Sequence, residues 1–561
     1  MLQEEQSSTT VPSERHKRGA QGLPEERGPW GGLRLPSARQ VALVLAILAP
    51  FALLARVALH STLTFDGGIN YQVASNIAHG RGFARYYGGW SISPPEVQTS
   101  GFFLLIAALS VRAFGLSSLG LQLTNLLFIA SLLTLTVLVL RPWPWLRFFG
   151  PLVLILAVPQ VSNWALSGYG EFAVAALAVA ALFFIARVAE GTERPYLSAS
   201  AAFLACGVAI TIKTVALATV PIVLMGLVLV VIVRAELSKW RLLASAFALL
   251  IPIVSWELYR LVQLGSWSRW IAYWKTGASD VGFQAGVAGG SPEPGLLHKG
   301  AHHIVLLANQ MGISKVSLLI FLALPFLLVL LAFLLRGCAW REWLRKPGRA
   351  LAVLLLSYSA IYLVWWVFVT PTSKAWLRRI EIAFVPLTLA YLLLLGFGLT
   401  ALKQKDLPRL AARRSRILAA GLFVAIFAAV AIVPIRSVVT ENVRAYTHAR
   451  SDQKNAEAVA SKYVERLAAD GGMLCGFEWW SAPVVSLTAH AGLCDLHRLD
   501  VCSPTIDSAF RTHGVFLIWD RYAMGIVSPK PTARNLQFTL VAHPSSYATI
   551  WRVNRAPNAC G

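Results

Sequence analysis

The chain has 561 residues, 56% hydrophobic and 14% charged, with 50 Lys and Arg against 27 Asp and Glu and a formal charge of +23. This composition excludes a soluble globular enzyme and a disordered chain. It also argues against a nucleic-acid partner, because the apolar residues gather in long Leu-, Val-, Ala- and Phe-rich runs of bilayer length.

Residues 1–40 mix Glu, Arg, Pro, Gly and Ser without apolar periodicity, which predicts a disordered cytoplasmic tail. A span needs roughly 17–25 mostly apolar residues. Eleven runs qualify: 41–60, 119–140, 150–166, 171–187, 197–212, 214–233, 242–261, 316–335, 349–369, 380–400 and 416–435. The first is full length and has no small-residue cleavage site after it, so it reads as a signal anchor and not a cleaved leader. The run 101–114 is too short to cross unaided and contains Arg112; it is read as juxtamembrane or re-entrant. With the N-terminus in the cytoplasm, Lys and Arg crowd loops 141–149, 187–196, 234–241, 336–349 and 401–416. The opposite loops are sparser, as the positive-inside rule requires. The predicted fold is therefore an all-α polytopic membrane protein, 41–435, with outer loops 61–100 and 260–315, in the cell (inner or plasma) membrane.

The last 126 residues, 436–561, fall on the outer side. A helix near 452–468 and apolar runs such as Val515–Trp519 and Phe538–Val541 predict a small extracytoplasmic α+β domain. Cys475, Cys494, Cys502 and Cys560 cluster there and suggest two disulfides in an oxidising compartment, with three pairings open. They lack paired CxxC spacing, which argues against zinc.

Only 12 Asp and Glu lie in 41–435. Those in cytoplasmic loops sit beside Arg or Lys and read as solvated charge balance. Among the outer acids, Asp66 follows the first span in Thr64-Phe65-Asp66-Gly67-Gly68. Glu171 opens a helix after Ser167-Gly168-Tyr169-Gly170. A carboxylate at the membrane boundary lines a wet cavity or has a partner; the plainer readings are a loop acid or N-cap for Asp66 and a helix-dipole acid for Glu171. Cations stand opposite. Lys213 interrupts an apolar stretch, with snorkelling as the plainer reading. Lys374, Arg378 and Arg379 form an outer cluster against the orientation rule, which suits a lipid phosphate; pairing with Glu381 or anionic headgroups is the alternative. Trp267, Trp270, Tyr273 and Trp274 read as an interfacial belt, or as a stacking surface for a sugar or polyprenyl chain beside the Gly-rich 282–295 stretch, which could be a mobile flap. Trp479 and Trp480 pose the same choice. His302 and His303 read as ordinary loop histidines. No cofactor is required by these residues; Asp66 with Glu171 offers oxygen ligands for a divalent cation.

After Asp66 come Gly80-Arg81-Gly82-Phe83, then Pro94-Pro95-Glu96-Val97-Gln98-Thr99-Ser100-Gly101 and a hydrophobic run closing at Phe114-Gly115. This order resembles the first outer loop of GT-C glycosyltransferases that use polyprenyl-phosphate sugars, such as lipid A aminoarabinose transferases and protein O-mannosyltransferases. The likeness covers 41 to about 190, and the rest in architecture. It implies transfer of a sugar, with inversion, from a polyprenyl-phosphate donor to a glycan, lipid or protein acceptor on the outer face. It also implies Asp66 as base and Glu171 as a second catalytic-site acid. There are departures: many members carry two adjacent acids where Phe65 precedes Asp66, and the Lys-Pro-Pro element is Ser93-Pro94-Pro95 without its Lys. Arg81 or Arg85 could substitute. The rival readings are a transporter or lipid flippase, disfavoured by the absence of evident inverted repeats, and a non-catalytic envelope assembly factor.

Overall fold

The computed structural model describes residues 37–60, 63, 65–85, 99–158, 161, 165–284, 295–336, 340–370, 377–403, 421, 436, 438–444, 451–467, 473–476, 481–489, 491–495, 502, 504–512, 514–520, 530–533, 535–545, 548–557 and 559. Contacts divide the chain into 1–42 and a compact unit, 43–561, which holds the site.

Helix α1 (Ala38–His60) is followed by the short α2 (Phe65–Ala78) and α3 (Gly101–Phe114), then α4 (Ser118–Val139) and α5 (Pro144–Ala157). The centre of the bundle is α6 (Glu171–Glu190), packed against α4, α7 (Pro195–Ile212), α8 (Thr219–Val233), α15 (Arg349–Val364) and α16 (Glu381–Lys403). Its sequence explains the position: Ala173, Ala175, Ala176, Ala178 and Ala181 are all buried, and small side chains let neighbouring backbones approach where lipid offers no hydrophobic drive. Between α8 and α15 run α9 (Lys239–Ser245), α10 (Leu250–Leu264), α11 (Trp267–Gln284), α12 (Leu296–Met311), α13 (Lys315–Arg336) and α14 (Trp340–Arg345).

Among the described residues, eight helices are long and apolar enough to cross a membrane, or nine if α12 and α13, bent by 99° at their junction, count as one broken span. Eight of the eleven predicted runs coincide with these. The run 316–335 is one arm of the bent pair, and 416–435 lies outside the described residues apart from position 421. The run 150–166 is corrected: its helix starts at Pro144, whose ring favours the first helical turn, and stops after 14 residues at Ala157. The run 101–114 is a helix of 14 residues, as its length predicts. His302 and His303 lie in α12, not in a loop; His303 is fully buried, with its Nδ1 2.9 Å from Lys299 O and its ring on Trp366.

The C-terminal part adds α17 (Ser451–Leu467), α18 (Ala482–Thr488) and α19 (Pro504–Thr512) to strands β1 (Met473–Gly476), β2 (Gly492–Asp495), β3 (Val515–Asp520), β4 (Leu536–Ser545) and β5 (Ala548–Arg555). They form one mixed sheet in the order β2-β1-β3-β5-β4; β2, β1 and β3 are parallel, and the other pairings antiparallel. Strand alternation sorts the side chains. Met473, Cys475, Val515, Leu517 and Trp519 cluster on one face. Leu474, Phe516 and Ile518 face the other way, against Ala460 and Val464 of α17, Val485 of α18 and Ile69 of α2. Cys475 and Cys494, register partners on β1 and β2, form a disulfide, and Cys502 is also disulfide-bonded.

Candidate active site

The site forms where three separated stretches meet: the first turn of α2, the loop before α6, and the turn before α16. Asp66 sits in that first turn, where a carboxylate is favoured by the helix dipole. The Ser167–Gly170 loop passes close beside α2. A Cβ on Gly67 would stand 2.0 Å from Ser167 O, and Asn70 donates from Nδ2 to Gly168 O at 2.8 Å. Gly170, with φ of 79°, turns the chain into α6 against Thr99, whose hydroxyl donates to Tyr169 O at 2.5 Å. A side chain there would be strained by conformation and crowded by Thr99. The Ser-Gly-Tyr-Gly-Glu element is thus threaded between α2 and the 99–101 segment, which delivers Glu171 to the interior.

The third stretch begins where α15 widens into a π-helical turn, Trp365–Val369, and resumes as a 3₁₀ turn, Leu377–Ile380, carrying Arg378 and Arg379. Such π segments are often found at functional sites. Arg378 Nη1 meets Asp66 Oδ2 at 2.9 Å, its Nε lies 3.9 Å from Glu171 Oε1, and its guanidinium sits over the Tyr169 ring at 4.0 Å. Lys213, at the break between α7 and the next helical turn, donates to Glu171 Oε1 at 2.6 Å. Burial pulls the Lys213 ammonium below its usual range, and the Glu171 carboxylate opposes that pull. Beside the site, Tyr71 is fully buried, and its burial pushes the phenol up.

The structure therefore brings together four predicted residues, Asp66, Glu171, Lys213 and Arg378, each 9% exposed or less. Arg379 is buried beside them, within electrostatic reach of Glu171 and Tyr362. Arg85 is buried just after the Gly-x-Gly turn. Lys374, Glu96, the Pro94-Pro95 element, Trp479 and Trp480 lie outside the described residues. Glu381 is fully buried, and among the described residues neither carboxylate oxygen meets a hydrogen-bond partner. Tyr169 escapes notice in the sequence reading although it stands inside a quoted motif; an aromatic ring one residue from the Glu171 turn is the signal that could have found it. No group of three or more acidic, His or Cys side chains able to hold a metal occurs among the described residues. Arg378 lies between Asp66 and Glu171 and meets one oxygen of each.

The aromatic cluster is an ordered knot as well as a surface. Glu257 accepts from the Nε1 groups of Trp270 and Trp274, each at 3.0 Å, and pairs with Arg260, whose guanidinium lies over Trp256, Tyr273 and Trp274. Phe83, at the Gly-x-Gly turn, packs edge-on against Trp256 and Tyr273. Trp267 remains 64% exposed, which leaves it available to lipid.

No protein-family model and no curated protein matches the chain. Solved structures do. A crystal structure of ArnT from Cupriavidus metallidurans bound to undecaprenyl phosphate aligns with a TM-score of 0.54 at 13% identity, covering 93% of this chain and 98% of that one. The Archaeoglobus fulgidus oligosaccharyltransferase, tethered to an acceptor peptide containing the NVT sequon, aligns with a TM-score of 0.51 at 14% identity, covering 88% of this chain and 71% of that one. The chain has the GT-C fold. It is a multi-pass membrane protein whose helical body carries a small mixed sheet near the C-terminus.

Proposed function

We propose that the protein is an integral-membrane glycosyltransferase that moves a sugar from a polyprenyl-phosphate donor to a hydroxyl-bearing or amide-bearing acceptor on the outer face. The observation that carries this reading is the buried Asp66–Arg378 and Glu171–Lys213 cluster inside a GT-C fold. One side of the reaction needs a carboxylate to take the acceptor proton as the new glycosidic bond forms. The other needs cations where negative charge collects on the departing phosphate. Asp66 fills the first role and Arg378, with Arg379 and Lys213, the second. The Arg378 guanidinium lies over the Tyr169 ring, which helps hold it in place for a phosphate contact. Glu171 keeps Lys213 and Arg378 at fixed positions. Binding of undecaprenyl phosphate by the ArnT structure supports a lipid-linked donor, and the acceptor peptide on the oligosaccharyltransferase supports a separate acceptor. The N-terminus is assigned to the cytoplasm and the sheet unit to the outside, on the positive-inside asymmetry and the Cys475–Cys494 disulfide.

The test is transfer of radiolabelled sugar from a panel of polyprenyl-phosphate hexoses and pentoses in proteoliposomes. Transfer is expected for the native chain. Asp66→Asn, inserted normally, should lose at least about a hundredfold in rate. Uptake without covalent transfer would identify a transporter. Arg378→Ala should weaken undecaprenyl-phosphate binding at least about tenfold, and unchanged binding would remove its phosphate role.

A further inference from the structure

Helix α2 touches two bodies at once. Its Gly67 and Asn70 face the Ser167–Gly168 loop of the membrane bundle. Its Gly68, Ile69 and Gln72 face the C-terminal unit. A Cβ on Gly68 would lie 2.9 Å from the Pro483 backbone, and Ile69 belongs to the apolar cluster of Leu474, Val485 and Phe516. Gln72 is 1% exposed and donates from Nε2 to both Pro483 O and Ser486 Oγ at 3.2 Å. The Ser486 hydroxyl in turn donates to Ala491 O, the residue before β2. A buried hydrogen-bond chain therefore runs from the helix that carries Asp66 to the edge of the C-terminal sheet, two turns or less from the carboxylate.

We propose that the C-terminal unit positions Asp66 through α2, with Gln72 as the positioning residue; the inference rests on the assignment of Asp66 as base. The first turn of a helix of 14 residues frays unless something holds it. Asn70 ties one side of α2 to the bundle, and Gln72 ties the other to α18. Without the second tie, Asp66 keeps its partner Arg378 but loses its fixed bearing on the acceptor. A base displaced by about 1 Å loses roughly a hundredfold in rate. The hydrogen-bond partners of Gln72 are Pro483 and Ser486 of the C-terminal unit, so the proposal predicts that donor binding is not coupled to it.

The experiment compares the native chain, Gln72→Ala and Ser486→Thr, all full length in nanodiscs. Hydrogen exchange, affinity for undecaprenyl phosphate and transfer kinetics are read in parallel. For Gln72→Ala, exchange of 65–78 should rise about tenfold while 171–190 stays protected. Affinity for undecaprenyl phosphate should remain within about twofold, and kcat should fall at least about tenfold at unchanged donor KM. Ser486→Thr retains the accepting hydroxyl but adds a methyl at a fully buried site, so it is the packing control and should lower stability without the selective rise in exchange at 65–78. Unchanged exchange across 65–78, or faster exchange throughout the bundle with loss of lipid binding, would overturn the proposal, as would full kcat. If the native chain transfers no sugar, the assigned activity fails, and the exchange and lipid-binding results still decide whether Gln72 holds α2.

Discussion

Lys213 and Glu171 show how a few atoms can set both stability and charge in a site. They meet at 2.6 Å, with side chains 9% and 3% exposed. Removing one member of such a pair strands the other, which costs about 3–5 kcal/mol, whereas replacing both is far milder. Lys213→Met should therefore unfold at markedly lower temperature in detergent. The double variant Lys213→Met with Glu171→Gln should regain most of that loss without regaining undecaprenyl-phosphate affinity. Gly67 tests the close approach that seats the Glu171 loop. Its hypothetical Cβ would be 2.0 Å from a backbone oxygen, which cannot swing aside as a side chain can. Gly67→Ala should cost about 1–3 kcal/mol in thermal unfolding. Asp66, Glu171, Lys213 and Arg378 were legible as a group because charge is scarce between 41 and 435 and each stands at a span boundary. Their pairing was not, because it depends on contacts as far apart in sequence as Asp66 and Arg378, which no local pattern records. Glu381 was legible only as an acid near cations; its complete burial was not.

At the scale of elements, apolar length predicted the long helices well, because each is one uninterrupted run. It misjudged 150–166, where the helix begins at Pro144 ahead of the apolar peak. The run 316–335 falls on α13, which turns by 99° from α12, a bend that apolar length alone does not record. In the C-terminal part, β3 and β4 were visible as Val515–Trp519 and Phe538–Val541. Strands β1 and β2, four residues each, were too short to stand out, and their pairing is fixed by a parallel crossover through α18. The Cys475–Cys494 bond joins those two short strands across a sequence separation of 19. Constraining the unfolded chain over such a loop is worth about 3 kcal/mol. Cys475→Ser should lower stability by that order and loosen β1–β2 first, visible as faster exchange at 473–476 and 492–495. Non-reducing peptide mapping of the native chain should recover the two cysteines in one linked species.

At the scale of the whole molecule, the GT-C bundle and the sheet unit belong to one compact body. The proposed orientation predicts that an impermeant protease applied to intact spheroplasts cleaves the sheet unit and leaves the 1–40 segment intact. The reverse pattern would invert the topology and place the cation cluster on the wrong side for an extracytoplasmic reaction. The link between Gln72 and Ser486 spans 414 residues of sequence, and this separation has a consequence for biosynthesis. At roughly 5–20 residues per second, α2 enters the membrane region tens of seconds before α18 exists. During that interval Asp66 is present but its helix lacks the partner that seats it. On the proposed role of Gln72, the acid site is completed only once α18 has been made, so a chain stalled before residue 482 should bind undecaprenyl phosphate yet transfer no sugar.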